Sequence, residues 1–579
     1  MARDFAAACT VGYERLCAWS DLLDEINVFP VADADTGLNL RVSLAPLRQP
    51  AEGEGDISAR LVLNARGNSG NIAGAFFSEF LKAAAPGQLA PAARAGSRKA
   101  WQVLSDPRPG TMLSLFDALA EILADIPAAD LAAHAGRLID HLEAAVHATR
   151  EDLPELQAAN VVDAGALGMF IFFEGFFGHL SDCGYTFRPV TRIFRGKLRR
   201  TVSAGPEDDI HCVESIVDFS GSAGEAARSL AGVGDSIIAI QNGQQLKVHL
   251  HTGDPQAARG SLQSLGSVVH WHDETAADPA PPQEQPAAAG GVHIMTDGAG
   301  SVTPADARRR RMTLLSSYIS FDGRCLPETL VPARELYDLM RRGEKVATSQ
   351  ASVFERAQCY QSVLARHRQV LYLCVGSVYT GNYAAVMAWK EENDPDDRLR
   401  VIDTGAASGR LAVIALATAD FAARGHDMAA VERFARRAVV RSREYVFLDR
   451  LRYLVAGGRL SKTSGFFGDL LHLKPVITVT ERGAEKAGLA RGPRDQLAFA
   501  LQKLKDERKS PSGSPVMLEY TDNRQRVEDL KAQIQHAHPQ AEIILQPLSL
   551  TSGAHMGPGT WGIAFLGDDD RNAREGETT

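Results

Sequence analysis

The sequence predicts a multidomain chain. An all-α region covers residues 1–200, a small α/β region 201–275, a linker 276–290 and a larger α/β region 291–570. Three observations predict this order. Apolar residues recur at three- and four-residue spacing as far as about residue 195. Short β-branched runs with alternation follow. Beyond a Pro-, Ala- and Gln-rich stretch, strand-like and helix-like segments take turns, the pattern of a three-layer domain on a mostly parallel sheet.

In the first region the segments "AAACTVGYERLCAWSDLLDEI", "RLVLNARGNSGNIAGAFFSEFLKAAA", "TMLSLFDALAEILADI" and "AADLAAHAGRLIDHLEAAVHATRED" carry the helical period. Their breaks are polar or glycine-rich, so this reads as a helical bundle with unusual loops. In the second, "HCVESIVDFS", "SIIAIQNGQQLKVHLHTGD" and "SVVHWHDE" read as strands. The linker "AADPAPPQEQPAAAGG" is semi-rigid and reaches about 45–50 Å if extended. Beyond it, "GVHIMTD", "RMTLLSSYIS", "QVLYLCVGS", "LRVIDTG" and "SPVMLEYTD" read as buried strands, and ligands of such sheets sit at strand carboxyl ends.

The bulk numbers exclude several classes. A length of 579 residues fits three or four domains, and 45% hydrophobic content is ample for their cores. The net charge of −9 argues against a nucleic-acid binder, which needs a basic face for phosphates. No apolar run is long and clean enough for a transmembrane helix. The N-terminus carries Asp4 and Glu14 and lacks a secretory core. Seven scattered cysteines fit a reducing cytoplasm.

Four stretches carry chemistry in the helical region. "NVFPVADADTGLNL" sets Asp33 and Asp35 one residue apart in a loop, a pair that reads as a solvated turn or as oxygen ligands for a hard cation such as Mg²⁺. "ARGNSGN" places Gly67, Asn68, Ser69 and Gly70 before a helix, offering amides to phosphate or serving as a glycine turn and cap. "GTML" and "VVDAGALG" follow downstream. There is no G-x-x-x-x-G-K-[ST], so this is not an ordinary P-loop. In this order the four motifs resemble the nucleotide-binding domain of the dihydroxyacetone kinase family, in the version of the bacterial fatty acid kinase catalytic subunit. The resemblance covers roughly residues 10–195 and implies an eight-helix barrel with ATP held by the interhelical loops. It implies two Mg²⁺ ions on Asp33 and Asp35, with Asn27 completing the site. Thr36, Asn39, Gly67, Asn68, Ser69 and Gly70 would hold phosphates, and Thr111, Met112, Asp163 and Gly165 would surround the nucleotide. The chain departs from the pattern at Ala34, where the family has Gly, and at Leu38, where it has Thr.

The middle region places His249 and His251 two apart on one strand, hence on one face. Spacing alone fits a satisfied pair of histidines or, with Cys212, an N/N/S metal site. The "KVH-x-H" strand and the upstream "HCVES" resemble the middle domain of the same kinase. That resemblance implies Zn²⁺ on Cys212, His249 and His251, structural or in domain signalling.

After the linker, "VATSQAS", "VGSVYTGNY", "VAGGRLS" and "GAHMGPG" each suit a turn or cap. Together they resemble the DegV family of fatty-acid-binding proteins over about 290–567. The resemblance implies two subdomains, an apolar tunnel between them, and a carboxylate held by Thr348, Ser349, Ser377, Thr380, Gly381, Arg459 and His555. An arginine binds carboxylate with paired donors. Thr380 stands where Ser is usual, and Gly298 stands where Ser follows Asp297.

The expected activity is ATP-dependent phosphorylation of a fatty acid to acyl phosphate, with Asp33, Asp35, Arg459 and His555 as the catalytic set. Expected partners are fatty acid, ATP and an acyltransferase of phospholipid synthesis, with transient membrane contact and homodimer formation. Two alternatives stand beside it: a kinase of dihydroxyacetone or another small polyol, and a non-catalytic regulator that binds lipid and nucleotide.

Overall fold

A computed structural model describes residues 2–29, 34–48, 57–83, 85–181, 184–199, 211–275, 291–322, 324–458, 474–508 and 515–568. Asp33, Arg459 and the linker 276–290 lie outside the described residues. The chain forms two compact units. Met1–Gln283 make the bulk of one, and Glu284–Ala357 with Val363–Thr579 make the other.

The first unit begins with helices. Ala164–His179 is their hub: it is apolar on all sides apart from Glu174, whose carboxylate is paired with Arg15, and residues Ala164 to Gly178 are all buried, as such a helix requires. Ala2–Ile26 packs along it so closely that a Cβ on Gly175 would sit 2.8 Å from the Gly12 Cα. Rings fill the space around the hub, with Phe76 stacked on Phe116 at 3.9 Å between centroids and Phe77 edge-on to Phe172 at 4.8 Å. The segment around "ARGNSG" is two helices, Ile57–Asn64 and Gly67–Phe80, broken at Ala65 and Arg66.

The same unit continues into a four-stranded antiparallel sheet. Its spatial order is Asp235–Asn242, Gln245–Thr252, His211–Asp218, Ser267–Thr275. Helices Ala223–Leu230 and Pro255–Leu265 cover one face, burying Val213, Leu246, Val248 and Leu250. The other face meets the helical region: Ile238 and Ile240 pack with Val62, Ala75 and Val103. Main-chain bonds fasten this seam, from Ser105 N to Ile237 O (3.1 Å) and from Ala239 N to Val103 O (3.2 Å).

The second unit has three sheets. Leu399–Asp403, Gln369–Cys374, Val292–Asp297 and Thr313–Leu315 form a wholly parallel one. A six-stranded sheet runs Gly483–Ala490, Lys474–Thr480, Ser442–Phe447, Trp561–Leu566, Val516–Tyr520, Ile543–Pro547, and only its last pair is parallel. Arg324–Pro327, Ser317–Phe321 and Ala347–Gln350 make a small antiparallel sheet. The expectation of a mostly parallel sheet is therefore corrected for the six-stranded part. A tight hairpin at Glu481–Arg482 reverses the chain there, and Trp561–Leu566 inserts antiparallel to both neighbours. The expected strand "RMTLLSSYIS" is two strands in two sheets. Helix Ser408–Ala422 packs residues of the parallel sheet and, through Met517 and Ala564, of the six-stranded sheet into one core.

Candidate active site

The loop ahead of helix Thr36–Leu44 is pinned from below. Asp24 Oδ1 accepts the Gly37 amide at 2.6 Å and the Leu38 amide at 3.1 Å, closing off two orphan donors of that helix. Burial pushes the Asp24 carboxyl well above its usual range against the pull of these bonds. Gly37 has to be glycine, because a Cβ there would collide with the Ser20 carbonyl. Ala34, between the two aspartates, has φ +56°, a conformation that favours glycine.

Helix Gly67–Phe80 crosses Thr36–Leu44 at two glycines. A Cβ on Gly67 would collide with the Asn39 amide, and one on Gly70 with the Ser43 hydroxyl. These glycines serve close helix approach, and the Gly67 amide is taken by Glu214 Oε1 at 2.9 Å. Asn39 is buried against Gly67. Of the expected phosphate-binding residues, Thr36, Asn68 and Ser69 face the cavity, whereas Asn39, Gly67 and Gly70 build the support behind it.

That cavity holds about 380 Å³, within the range of small-molecule sites. It brings together Asn27, Asp35, Thr36, Asn68, Ser69, Thr111, Met112, Asp163 and Gly165 from four loops far apart in sequence. Thr111 caps helix Met112–Asp125, accepting from Leu113 N at 3.3 Å and donating to Arg108 O at 2.9 Å. Asp163 caps Ala164–His179 through Ala166 N at 2.7 Å, and burial pushes its carboxyl up to about 7. The Asp35 carboxylate has no hydrogen-bond partner among the described residues and lines the cavity, which suits an oxygen ligand for a cation.

Sequence reasoning missed one wall. Ala231, Gly234, Asp235, Ser236 and Ile237 of the middle region line the same cavity, with Ser105, Asp106 and Arg108 beside them. Ser236 adopts φ +54°, the one local sign of a special turn.

On the seam-side face of the middle sheet, Cys212 pairs across from His251, and Glu214 across from His249. The donor atoms of Cys212, His249 and His251 lie within 4.8 Å of one another. His249 Nε2 and His251 Nδ1 are buried with no partner among the described residues, which suits ring nitrogens that hold a metal. Burial lowers His251 to about 3, so that its ring is neutral at pH 7. At His249 burial is outweighed by Cys212 and Glu214, which lift it to about 10. The set fits a thiophilic divalent ion such as zinc.

In the second unit the structure brings Thr348 and His555 together, with Oγ1 and Nε2 2.9 Å apart. The turn at Gly457 packs on the His555 ring. Thr380 Oγ1 accepts the Asn382 amide at 3.0 Å, and Gly381 lies against the Gln350 side chain. Ser349 alternates away from Thr348 on its strand and is exposed, as is Ser377, whose amide binds Asp403 at 3.0 Å. At Gly298 an added Cβ would lie 3.2 Å from Glu328 Oε1, a carboxyl that burial pushes up to about 7.

The cavity and the His/Cys cluster that could hold a metal lie in regions whose domain matches suggest a kinase-like enzyme. Residues 30–178 match the DAK2 domain, 210–274 the FakA-like middle domain of fatty acid kinase, and 291–568 the DegV family. The three domain models thus match one after another along one polypeptide. A DegV domain-containing protein of Streptococcus pyogenes serotype M1 is 27% identical over 290 residues, 48% of this chain and 99% of its own length. Protein YloV of Bacillus subtilis is 28% identical over 298 residues, 46% of this chain and 54% of its own. A fatty-acid-binding DegV family protein of Thermus thermophilus aligns over 48% of this chain and 100% of its own, at 23% identity and a TM-score of 0.45. No helix among the described residues is long and apolar enough to cross a membrane.

Proposed function

We propose that the chain transfers the γ-phosphoryl group of ATP to the carboxylate of a fatty acid held by its DegV domain, giving acyl phosphate and ADP. The observation that carries this is the union of the three domains in one polypeptide. A fatty acid carboxylate is already ionised near pH 7, so transfer needs no general base and rests on positioning and charge. Thr36, Asn68 and Ser69 offer donors to phosphate, with Asn39, Gly67 and Gly70 behind them. Thr111, Met112, Asp163 and Gly165 border the nucleotide. Asp33 and Asp35, with Asn27, would hold two Mg²⁺ ions, which neutralise phosphate charge when bound. Cys212, His249 and His251 would hold a structural Zn²⁺.

On the lipid side, Arg459, His555 and Thr348 orient the carboxylate, with Ser349, Ser377, Thr380 and Gly381 around it. Fusion raises effective concentration, commonly to the mM range for short linkers, so no separate docking domain is required. The product would be consumed by an acyltransferase of phospholipid synthesis in the cytoplasm.

A second reading, a non-catalytic regulator, is favoured by one observation: Ala34 occupies a left-handed position in the loop between Asp33 and Asp35. One experiment separates the two. Purified protein is incubated with MgATP and a panel of fatty acids, with dihydroxyacetone as the contrasting acceptor, and acyl phosphate is trapped as the hydroxamate. Hydroxamate that requires ATP, fatty acid and Asp35 supports the kinase. Binding of both ligands without product would favour the regulator.

A further inference from the structure

The middle domain contributes more than a metal cluster to its unit. Lys247, His249 and His251 alternate along strand Gln245–Thr252, and Glu214 stands opposite His249 on the neighbouring strand. Lys247 is buried, and its ammonium donates to the carbonyls of Val62 (3.2 Å), Leu63 (3.3 Å) and Ala65. These are the last carbonyls of helix Ile57–Asn64 and of the break that follows. An ammonium has three donors, and the end of a helix leaves carbonyls without partners. Glu214 lies 3.5 Å from Lys247 and receives, on Oε1, the Gly67 amide at 2.9 Å and the Asn71 side chain at 3.2 Å. A cation thus sits at the C-terminal end of the helix before "ARGNSG", and an anion at the N-terminal end of the helix after it. Each matches the helix dipole it faces.

We infer that Lys247 and Glu214 form a clamp that positions the Asn68–Ser69 segment for nucleotide phosphate. This rests on the proposed nucleotide reading of the cavity. Glu214 also meets His249 Nδ1 at 3.1 Å, so its charge is compensated by both neighbours on the strand and no lone anion stands behind a polyanion's site. Glu214 occupies only the first amide of helix Gly67–Phe80 and leaves Asn68 and Ser69 facing the cavity. Both are positioning residues.

Pairing within one network gives a signature that plain packing lacks. Lys247→Met strips the donor from the helix-end carbonyls and leaves Glu214 with His249 as its remaining cation, and should raise the Kd for MgADP about tenfold, whereas Glu214→Gln keeps an acceptor for Gly67 and should raise it only about threefold. The double variant should bind better than the product of the two losses, because the two residues belong to one hydrogen-bonded network and their effects are not additive. KM for ATP should rise more than kcat falls.

The experiment uses the full chain. MgADP affinity is measured by calorimetry, zinc content by elemental analysis, and protection of residues 65–71 by hydrogen exchange. The expected result is weakened nucleotide binding and lost protection at unchanged zinc. Unaltered MgADP affinity in folded Lys247→Met and Glu214→Gln overturns the clamp, and so does a loss that tracks zinc content. If Lys247→Met does not fold, the Glu214→Gln shift alone decides. Wild-type protein that binds no MgADP overturns the nucleotide reading together with this role, an outcome distinct from normal binding by every variant.

Discussion

The cavity of the first unit, proposed for nucleotide, and the lipid-site candidates are built in different ways. In the first unit, four loops and one wall of the middle sheet converge on a single open cleft. In the second, the structure joins Thr348 to His555 but leaves Ser349 and Ser377 on the surface. The first site uses helix starts, where amides and caps point along the axis whatever the side-chain rotamer. The second depends on strand alternation and on loops, so neighbours in sequence face opposite ways. Motif residues that sit at helix starts are therefore the safer guide to a site.

The contrast can be broken at either end. Asp35→Asn should cut acyl phosphate formation on the order of a hundredfold or more, as loss of a charge-neutralising group does. Fatty acid binding should stay unchanged, and full turnover by this variant would remove Asp35 from the site. Next in size is a pH effect at Asp163. Its folded carboxyl titrates at about 7, above its ordinary 3.8, so the native state favours the protonated form. That stability is complete below about pH 4 and is lost as pH rises to about 7. Against Asp163→Asn, wild-type stability should fall by about 3–4 kcal/mol across that window in denaturant titrations. A constant difference would show that Asp163 does not titrate there.

His555→Ala should weaken fatty acid binding about tenfold while leaving MgADP affinity alone, because it strips a partner from Thr348. Equal losses on both ligands would show that the two sites are not separable. The smallest expected effect is at Ala34. Replacing it with glycine relieves a left-handed residue and should stabilise the protein by about 1 kcal/mol. If turnover also rises, the strain limits catalysis. If the melting point falls instead, backbone freedom in the unfolded chain outweighs the strain.

Much of this molecule was legible from residue order. The helical period located the helices around the hub but not the hub itself, whose apolar residues lie on all sides, and strand alternation put His249 and His251 on one face. The pair of glycines at 67 and 70 was legible as special, but not its reason, which is contact with Asn39 and Ser43 on another helix. The wall at Gly234–Ile237 left no side-chain signal, since it is fixed by main-chain bonds to Val103 and Ser105. Strand direction in the six-stranded sheet was equally silent, because apolar runs look alike whichever way they pair. Glu214 was within reach: a carboxylate two residues from Cys212 and across from His249 shares their face.

The seam between Val103–Ser105 and Ile237–Ala239 has a further meaning for how this chain can be cut or inherited. A sheet's outermost strand is a template for unwanted pairing, and proteins blunt such edges. Here the strand Asp235–Asn242 ends its sheet, and the helical domain's own backbone occupies part of that edge. The middle domain expressed alone would carry an adhesive border. The helical region and the middle region are therefore expected to travel as a pair.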